Sequence, residues 1–239
     1  MVDLVVDNEN NLNYPERGEV ILIDKDLEWT SFNVVKKVKV VLLNKYGLKK
    51  LKVGHAGTLD PLATGLVIIC TGKQTKNIEK YQSQEKEYIA RIRLGATTPS
   101  FDLETEVDNE YPYDHICEKD LIKALKEFEG EQDQIPPLFS AKSIGGKRAY
   151  TYARKGEEIE LKASKVHFFL LDLIHFELPF VKVRVVCSKG TYIRAFARDL
   201  GFKLNSGAHL TALRRTGIGN FRVDEALSIR EFEESIKTM

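Results

Sequence analysis

Apolar and polar positions along the chain fall into a few distinct periods. Glu19–Asp24 (E-V-I-L-I-D) has the composition of a short buried strand. From Ser31 onward Val34, Val35, Val38, Val41 and Leu42 recur at helical spacing with lysines between them. This predicts a helix to about Lys45, capped by Ser31. Lys86–Leu94 alternates well, the pattern of a strand with one wet face. Glu118–Phe128 reads as a helix on an acidic surface, and Gln134-Ile135-Pro136-Pro137 marks a break. Lys165–Glu177 and Phe180–Ser188 flank Pro179, which predicts two paired strands joined by a turn. Thr191–Leu200 reads as a further helix. Lys52–Gly65 has no sustained period and is rich in glycine, so it is expected to be a loop entering the apolar strand Leu66–Thr71. Strands and helices without repeats or a low-complexity linker predict an α+β fold. Its central sheet should be mostly antiparallel, flanked by helices and loops.

Composition adds limits. A chain of 239 residues buries roughly 70–75% of its unfolded surface, so its core needs no cross-links. The three cysteines are an odd number without a C-x-x-C pair, which supports neither a disulfide framework nor a cysteine-based zinc site. Asp3 and Asp7 interrupt the N-terminal apolar residues, unlike a signal peptide. The longest apolar run, Leu66–Cys70, is far too short to span a membrane. A cytoplasmic location follows as the expectation.

Charge changes the picture more. The net charge of +1 hides strong segregation. Asn33–Leu59 carries seven lysines and no acid; Ser140–Arg154 and Gly201–Arg222 each carry four bases and no acid. Asp102–Asp133 opposes them with twelve acids against three lysines. Three separate basic segments balanced by one acidic region suit a face turned toward a polyanion. Charge alone leaves RNA, DNA and a phosphate-rich ligand equally open.

The densest candidate chemistry lies in Gly54-His55-Ala56-Gly57-Thr58-Leu59-Asp60-Pro61-Leu62-Ala63-Thr64-Gly65. Its glycines permit sharp turns and close approach to a ligand. Pro61 biases Asp60 toward extended backbone. A carboxylate beside His55 and downstream of seven lysines sits in a field that favours its ionised form. On physics alone an Asx turn or a helix cap at Asp60 is the more ordinary reading. Lys73 and Lys76, just after the apolar strand, suit phosphate contact better than catalysis.

That block resembles the signature of the TruB family of pseudouridine synthases, and further matching blocks follow in order. They are Ile23–Phe32, Lys86–Gly95, Pro136–Ala141, Gly146–Gly156, Cys187–Arg194 and Gly207–Thr216, so the resemblance runs from about Gly18 to Phe221. It implies the pseudouridine synthase fold and isomerisation of the uridine at position 55 in the T loop of tRNA. No cofactor and no metal are implied. By the same resemblance Asp60 matches the family's essential aspartate, Tyr88 the tyrosine lying against the target base, and Arg194 the arginine that pairs with the aspartate. His55 matches a histidine that helps hold the flipped loop, and Tyr192 and Leu213 match further residues of the uridine pocket. Residues of about 135–161 match a mobile thumb, which brings Lys147 and Arg148 to the RNA. The implied organisation is a single catalytic domain over 18–239 with an N-terminal extension at 1–17 and no C-terminal PUA domain. A monomer recognising mainly the T stem-loop is expected. The chain departs from the family pattern at Asp26 and Glu28, where proline and glycine are usual, at Lys142 and Ser143, and at Gly217 and Ile218.

Other classes fit less well. A zinc-dependent base deaminase has H-x-E at His175-Phe176-Glu177 but lacks the companion P-C-x-x-C. A nucleotide-binding protein is disfavoured by the lack of both G-x-x-x-x-G-K and G-x-G-x-x-G. A non-catalytic RNA-binding or tRNA-folding module would share the basic surface. The combination of Asp60, Tyr88 and Arg194 is what argues against it.

Overall fold

A computed structural model describes residues 17–140, 143–144, 147–148 and 161–238. The expected N-terminal extension lies outside them, apart from Arg17. Most of the expected thumb does too, and of Lys147 and Arg148 only the backbone is described. The chain divides into two compact units, one running to Glu87 and resuming at Arg214, the other covering Tyr88–Leu213. Each has the α+β character that the pattern predicts.

The first unit opens with β1 (Val20–Lys25) and α1 (Ser31–Tyr46). The helix buries Val34, Val38 and Leu42 and leaves most of its lysines outside. Each such burial contributes about 1.5–3 kcal/mol. Its cap is Thr30, whose hydroxyl accepts from the Asn33 amide at 3.0 Å. Ser31, the expected cap, is instead buried and bonded elsewhere. Gly47 closes the helix at φ 60, where a side chain would be strained.

The expected loop Lys52–Gly65 contains a strand, β2 (Val53–Ala56), paired antiparallel with β3 (Ala63–Thr71). β3 is buried on nearly its whole length, successive residues on both of its faces alike, which erases the period-two signal. A 3₁₀ turn (Gly72–Asn77) and the short α2 (Ile78–Gln82) follow. β4 (Lys86–Leu94) then leads the chain into the second unit.

Within the second unit come the short pair β5 (Ala96–Thr97) and β6 (Asn109–Glu110), then α3 (Glu118–Phe128) and β7 (Gly130–Gln134). Two more short strands, β8 (Ser143–Ile144) and β9 (Lys147–Arg148), pair antiparallel. β10 (Ser164–Glu177) and β11 (Phe180–Cys187) form the expected antiparallel pair, and β10 also pairs with β7. α4 (Ile193–Lys203) packs Phe196 against Phe128 and Phe168, with ring centroids 5.5 and 5.2 Å away.

β12 (Ala208–Ile218) carries the chain back. After it come β13 (Phe221–Arg222), β14 (Leu227–Ser228) and α5 (Ile229–Thr238). The first unit's strand order is β14-β1-β3-β12, with β1 and β14 parallel and β1 and β3 antiparallel. In the second unit the order is β12-β4-β11-β10-β7. α5 buries Ile229, Phe232 and Ile236 and packs on α1, where Lys37 meets Glu233 at 2.6 Å.

Candidate active site

In the first unit the candidate motif is a braced loop. Asp60 lies between β2 and β3, half-buried, with its carbonyl accepting from the Ala63 amide at 3.1 Å. Buried side chains from distant parts of the sequence take up the backbone groups on either side of it. Arg215, 1% exposed, donates Nη2 to Gly57 O at 3.1 Å and Nη1 to Thr58 O at 3.4 Å, while its Nε donates to Leu66 O at 2.7 Å. Ser31 Oγ accepts from the Leu59 amide at 2.8 Å. Lys25, also 1% exposed, donates Nζ to Asp26 O at 2.8 Å, Trp29 O at 2.7 Å and Pro61 O at 3.3 Å. The Glu28 amide reaches the same Pro61 carbonyl at 2.8 Å.

The sequence fits this bracing closely. Successive strand residues face opposite ways, so of the adjacent arginines on β12 Arg215 points inward and Arg214 outward. Arg214 forms a two-pronged pair with Asp24 on β1, at 3.0 and 2.6 Å. Gly65, at φ 105, passes so close to the Arg215 backbone that a Cβ would lie 2.2 Å from its carbonyl oxygen. Glu28 holds φ 66, a conformation that favours glycine, at the position where the family pattern has glycine.

Two cations therefore lie in the interior beside the loop. Burial pushes the Lys25 ammonium down to about 8, while Asp26 and Asp60 oppose the shift and Arg215 adds to it. The fields of Lys25 and Asp60 thus act on each other directly. His55, on β2 and half-buried, is held below the ordinary imidazole range by burial and secondarily by Arg215, against an opposing bond with the Gly57 backbone. A neutral ring of this kind suits packing against a nucleobase. Lys76 is exposed at the end of the 3₁₀ turn.

The second unit holds the other candidates. Tyr88, on β4, is buried. Arg194 is 4% exposed in the first turn of α4, although an arginine on a helix is ordinarily solvated. Its Nη1 donates to Ser100 O at 3.3 Å, and its Nε lies 3.6 Å from the buried Asp102 carboxylate. Asp102 is fixed in turn, accepting from the Glu104 amide at 3.0 Å, while Thr98 Oγ1 donates to the Asp102 carbonyl at 2.7 Å. Tyr192 caps α4, and the Gln134 side chain grips its backbone as a neighbouring strand would, accepting from its N–H at 2.8 Å and donating to its C=O at 3.1 Å. Leu213, on β12, is half-buried. His55 and Asp60 thus belong to the first unit, and Tyr88, Tyr192, Arg194 and Leu213 to the second.

Sequence reasoning missed Lys25, Arg215 and Asp102, all charged and all buried. For Arg215 the available signal was the pair of adjacent arginines, since neighbouring residues on a strand face opposite ways and one of the two must point inward. Among the described residues no cluster of histidine, cysteine and carboxylate has metal-binding geometry, and no helix is long and apolar enough to cross a membrane.

Comparison with known proteins bears on this arrangement. Residues 44–193 match the model of the TruB family pseudouridylate synthase N-terminal domain, and residues 194–239 that of the tRNA pseudouridylate synthase B C-terminal domain. The chain is 57% identical to tRNA pseudouridine synthase B of Phocaeicola vulgatus, over 93% of this chain and 94% of that protein. With the protein of the same name from Flavobacterium johnsoniae it shares 54% identity over 92% and 96%. Among solved structures, a Cbf5-Nop10-Gar1 complex matches with TM-score 0.70 and 29% identity, covering 92% of this chain but 55% of that one. An H/ACA RNP bound to a substrate RNA containing 2'-deoxyuridine matches at 0.65 and 28%, covering 90% of this chain and 52% of that one. On these matches the chain belongs to the TruB family of pseudouridine synthases, isomerases that act on tRNA.

Proposed function

We propose that the chain converts the uridine at position 55 in the T loop of tRNA to pseudouridine, with Asp60 as the carboxylate that acts on it. The observation that carries this reading is the bracing of residues 57–61 by Arg215, Ser31 and Lys25. A surface Asx turn would not need two buried cations, each of which costs several kcal/mol to desolvate. A reacting carboxylate does need a fixed backbone and a positive field, because misplacement by about 1 Å can cost roughly 100-fold in rate.

The reaction balances without a redox partner. The bond from N1 of uracil to the ribose breaks, the base turns, a bond from C5 to the same ribose carbon forms, and the C5 proton is lost while N1 gains one. Asp60 serves as nucleophile at the ribose or at C6, or as a base at the ribose. Tyr88 and Arg194 are its proposed companions, Tyr88 in C5 deprotonation or in shaping the path to another base. The target base is stacked inside a folded loop and must be extruded, and His55, Tyr192 and Leu213 supply surfaces suited to receiving it.

The test is incubation with an unmodified tRNA transcript, folded in monovalent salt with excess chelator, followed by mapping of pseudouridine. One pseudouridine, at position 55, is expected. Modification elsewhere, or a chemical step that returns only on adding a divalent metal, overturns the reading.

A further inference from the structure

A second arginine of α4 joins parts of the second unit that lie far apart in sequence. Arg198 stands four residues after Arg194, about one turn further along the same side of the helix. Its side chain is only 14% exposed, and its guanidinium is engaged on several sides. Nε donates to Asp199 Oδ1 at 2.7 Å, which fixes the plane of the fork. Nη2 donates at 3.1 Å to the carbonyl of Ile135, the first residue past β7. The flat face lies over the Phe101 ring, with Cζ 4.8 Å from the ring centroid. Gln134, the neighbour of Ile135, grips Tyr192 at the start of the same helix, so α4 and the end of β7 form one fixed support.

What this support holds is Phe101. Phe101 has φ 62, a left-handed conformation that favours glycine and that a bulky residue keeps only where its surroundings over-determine it. It stands between the two residues that meet Arg194: the Ser100 carbonyl accepts from Nη1, and the Asp102 carboxylate lies 3.6 Å from Nε. The turn of the chain at Phe101 therefore sets how that carbonyl and that carboxylate point relative to each other. Its backbone is tied by an N–H donated to Thr98 O at 3.1 Å and a carbonyl accepting from the Leu210 N–H at 2.9 Å. Its ring is held by the guanidinium face, an attraction that strengthens where water is excluded.

We propose that Arg198 is a positioning residue for the isomerisation: stacked on Phe101 from a support anchored at Ile135, it holds Ser100 and Asp102 where they orient the Arg194 guanidinium. The proposal rests on Arg194 taking part in the reaction. Arg198 acts here through another arginine, and its flat face matters more than its charge.

The test sets Arg198→Lys and Phe101→Leu, singly and together, against wild type and Arg194→Lys. Val166→Ala, at a buried position of β10, is the control for lost stability away from this contact. For each protein the single-turnover rate at saturating enzyme, the tRNA Kd, the Tm and the NMR spectrum of arginine-labelled protein are measured. Arg198→Lys keeps a cation against Asp199, so its Tm should stay within a few degrees of wild type. Its saturating rate should nevertheless fall about tenfold, with Kd within about twofold of wild type. Phe101→Leu should be slowed to a similar degree, and the double variant should be no slower than the slower single one. The Nε–H resonance of Arg194, identified by its loss in Arg194→Lys, should move in all three and keep its place in Val166→Ala. A wild-type rate in Arg198→Lys, rates that simply follow Tm across the variants, additive losses in the double variant, or weaker tRNA binding at an unchanged saturating rate overturns the proposal. If Arg194→Lys turns over at the wild-type rate, the reading of Arg194 falls, while its resonance still decides whether Arg198 holds it in place.

Discussion

Arg215→Met removes the guanidinium that braces the Asp60 loop while keeping most of the side-chain volume. The native side chain makes two good charge-assisted bonds, to Leu66 O at 2.7 Å and Gly57 O at 3.1 Å, and a weaker one to Thr58 O at 3.4 Å. Leaving a buried carbonyl without its donor costs about 1–3 kcal/mol. Two such losses, partly offset by not burying a charge, give a net destabilisation of about 3 kcal/mol. For a chain of this size that corresponds to a fall in Tm of about 6–12 °C. The freed Gly57–Thr58 segment lets Asp60 drift, so single-turnover pseudouridine formation should fall about 100-fold. The assay runs well below the variant's Tm, with tRNA affinity measured in parallel and expected within a few-fold of wild type. Arg215→Lys, which keeps the charge but not the fork, should fall between the two. A folded Arg215→Met protein that turns over at the wild-type rate refutes the claim that this brace positions the carboxylate.

Two further outcomes follow from the same loop. Lys25 has a folded pKa of about 8 against the ordinary lysine value of 10.5, so the unfolded chain binds more protons between those values. The stability of wild type relative to Lys25→Met should therefore rise with pH across that window, by up to about 3 kcal/mol. Turnover should fall over the same range as the ammonium beside Asp60 is lost, an alkaline limb that Lys25→Arg removes; a pH-independent stability difference in denaturant titrations would argue against the assignment. Glu28 occupies φ 66, which costs a side chain about 1–2 kcal/mol. Glu28→Gly should raise Tm by about 1–3 °C after the glycine's greater unfolded freedom is subtracted, and Glu28→Ala should not; equal gains in both would mean that the carboxylate, not the backbone, is the source.

Much of the fold was legible because periodicity reports burial. α1, α3, β4 and the β10–β11 pair fall within two residues of their expected bounds. β2 was hidden because Gly54 and His55 give a strand no apolar face, and its pairing with β3 comes from long-range register. β12 mixes polar and apolar residues because it carries Arg214 and Arg215 to opposite faces. α5 was missed although Ile229, Phe232 and Ile236 lie at helical spacing. At the site, motif resemblance supplied Asp60, Tyr88 and Arg194. The buried charges were illegible for a physical reason. Lysine, arginine and aspartate are ordinarily solvated, and only tertiary structure reveals the carbonyls that hold Lys25 and Arg215 or the Asp102 carboxylate beside Arg194.

The central claim is that the Asp60 carboxylate performs chemistry and is not a structural turn residue. Asp60→Asn separates these roles, since the amide keeps the shape and turn-forming capacity but cannot act as carboxylate nucleophile or base. The measurement is single-turnover pseudouridine formation on full tRNA, with Kd determined on the same preparation. The account predicts no detectable product, with Kd within a few-fold of wild type because phosphate contacts supply most of the affinity. Turnover at a tenth of the wild-type rate or more would contradict it.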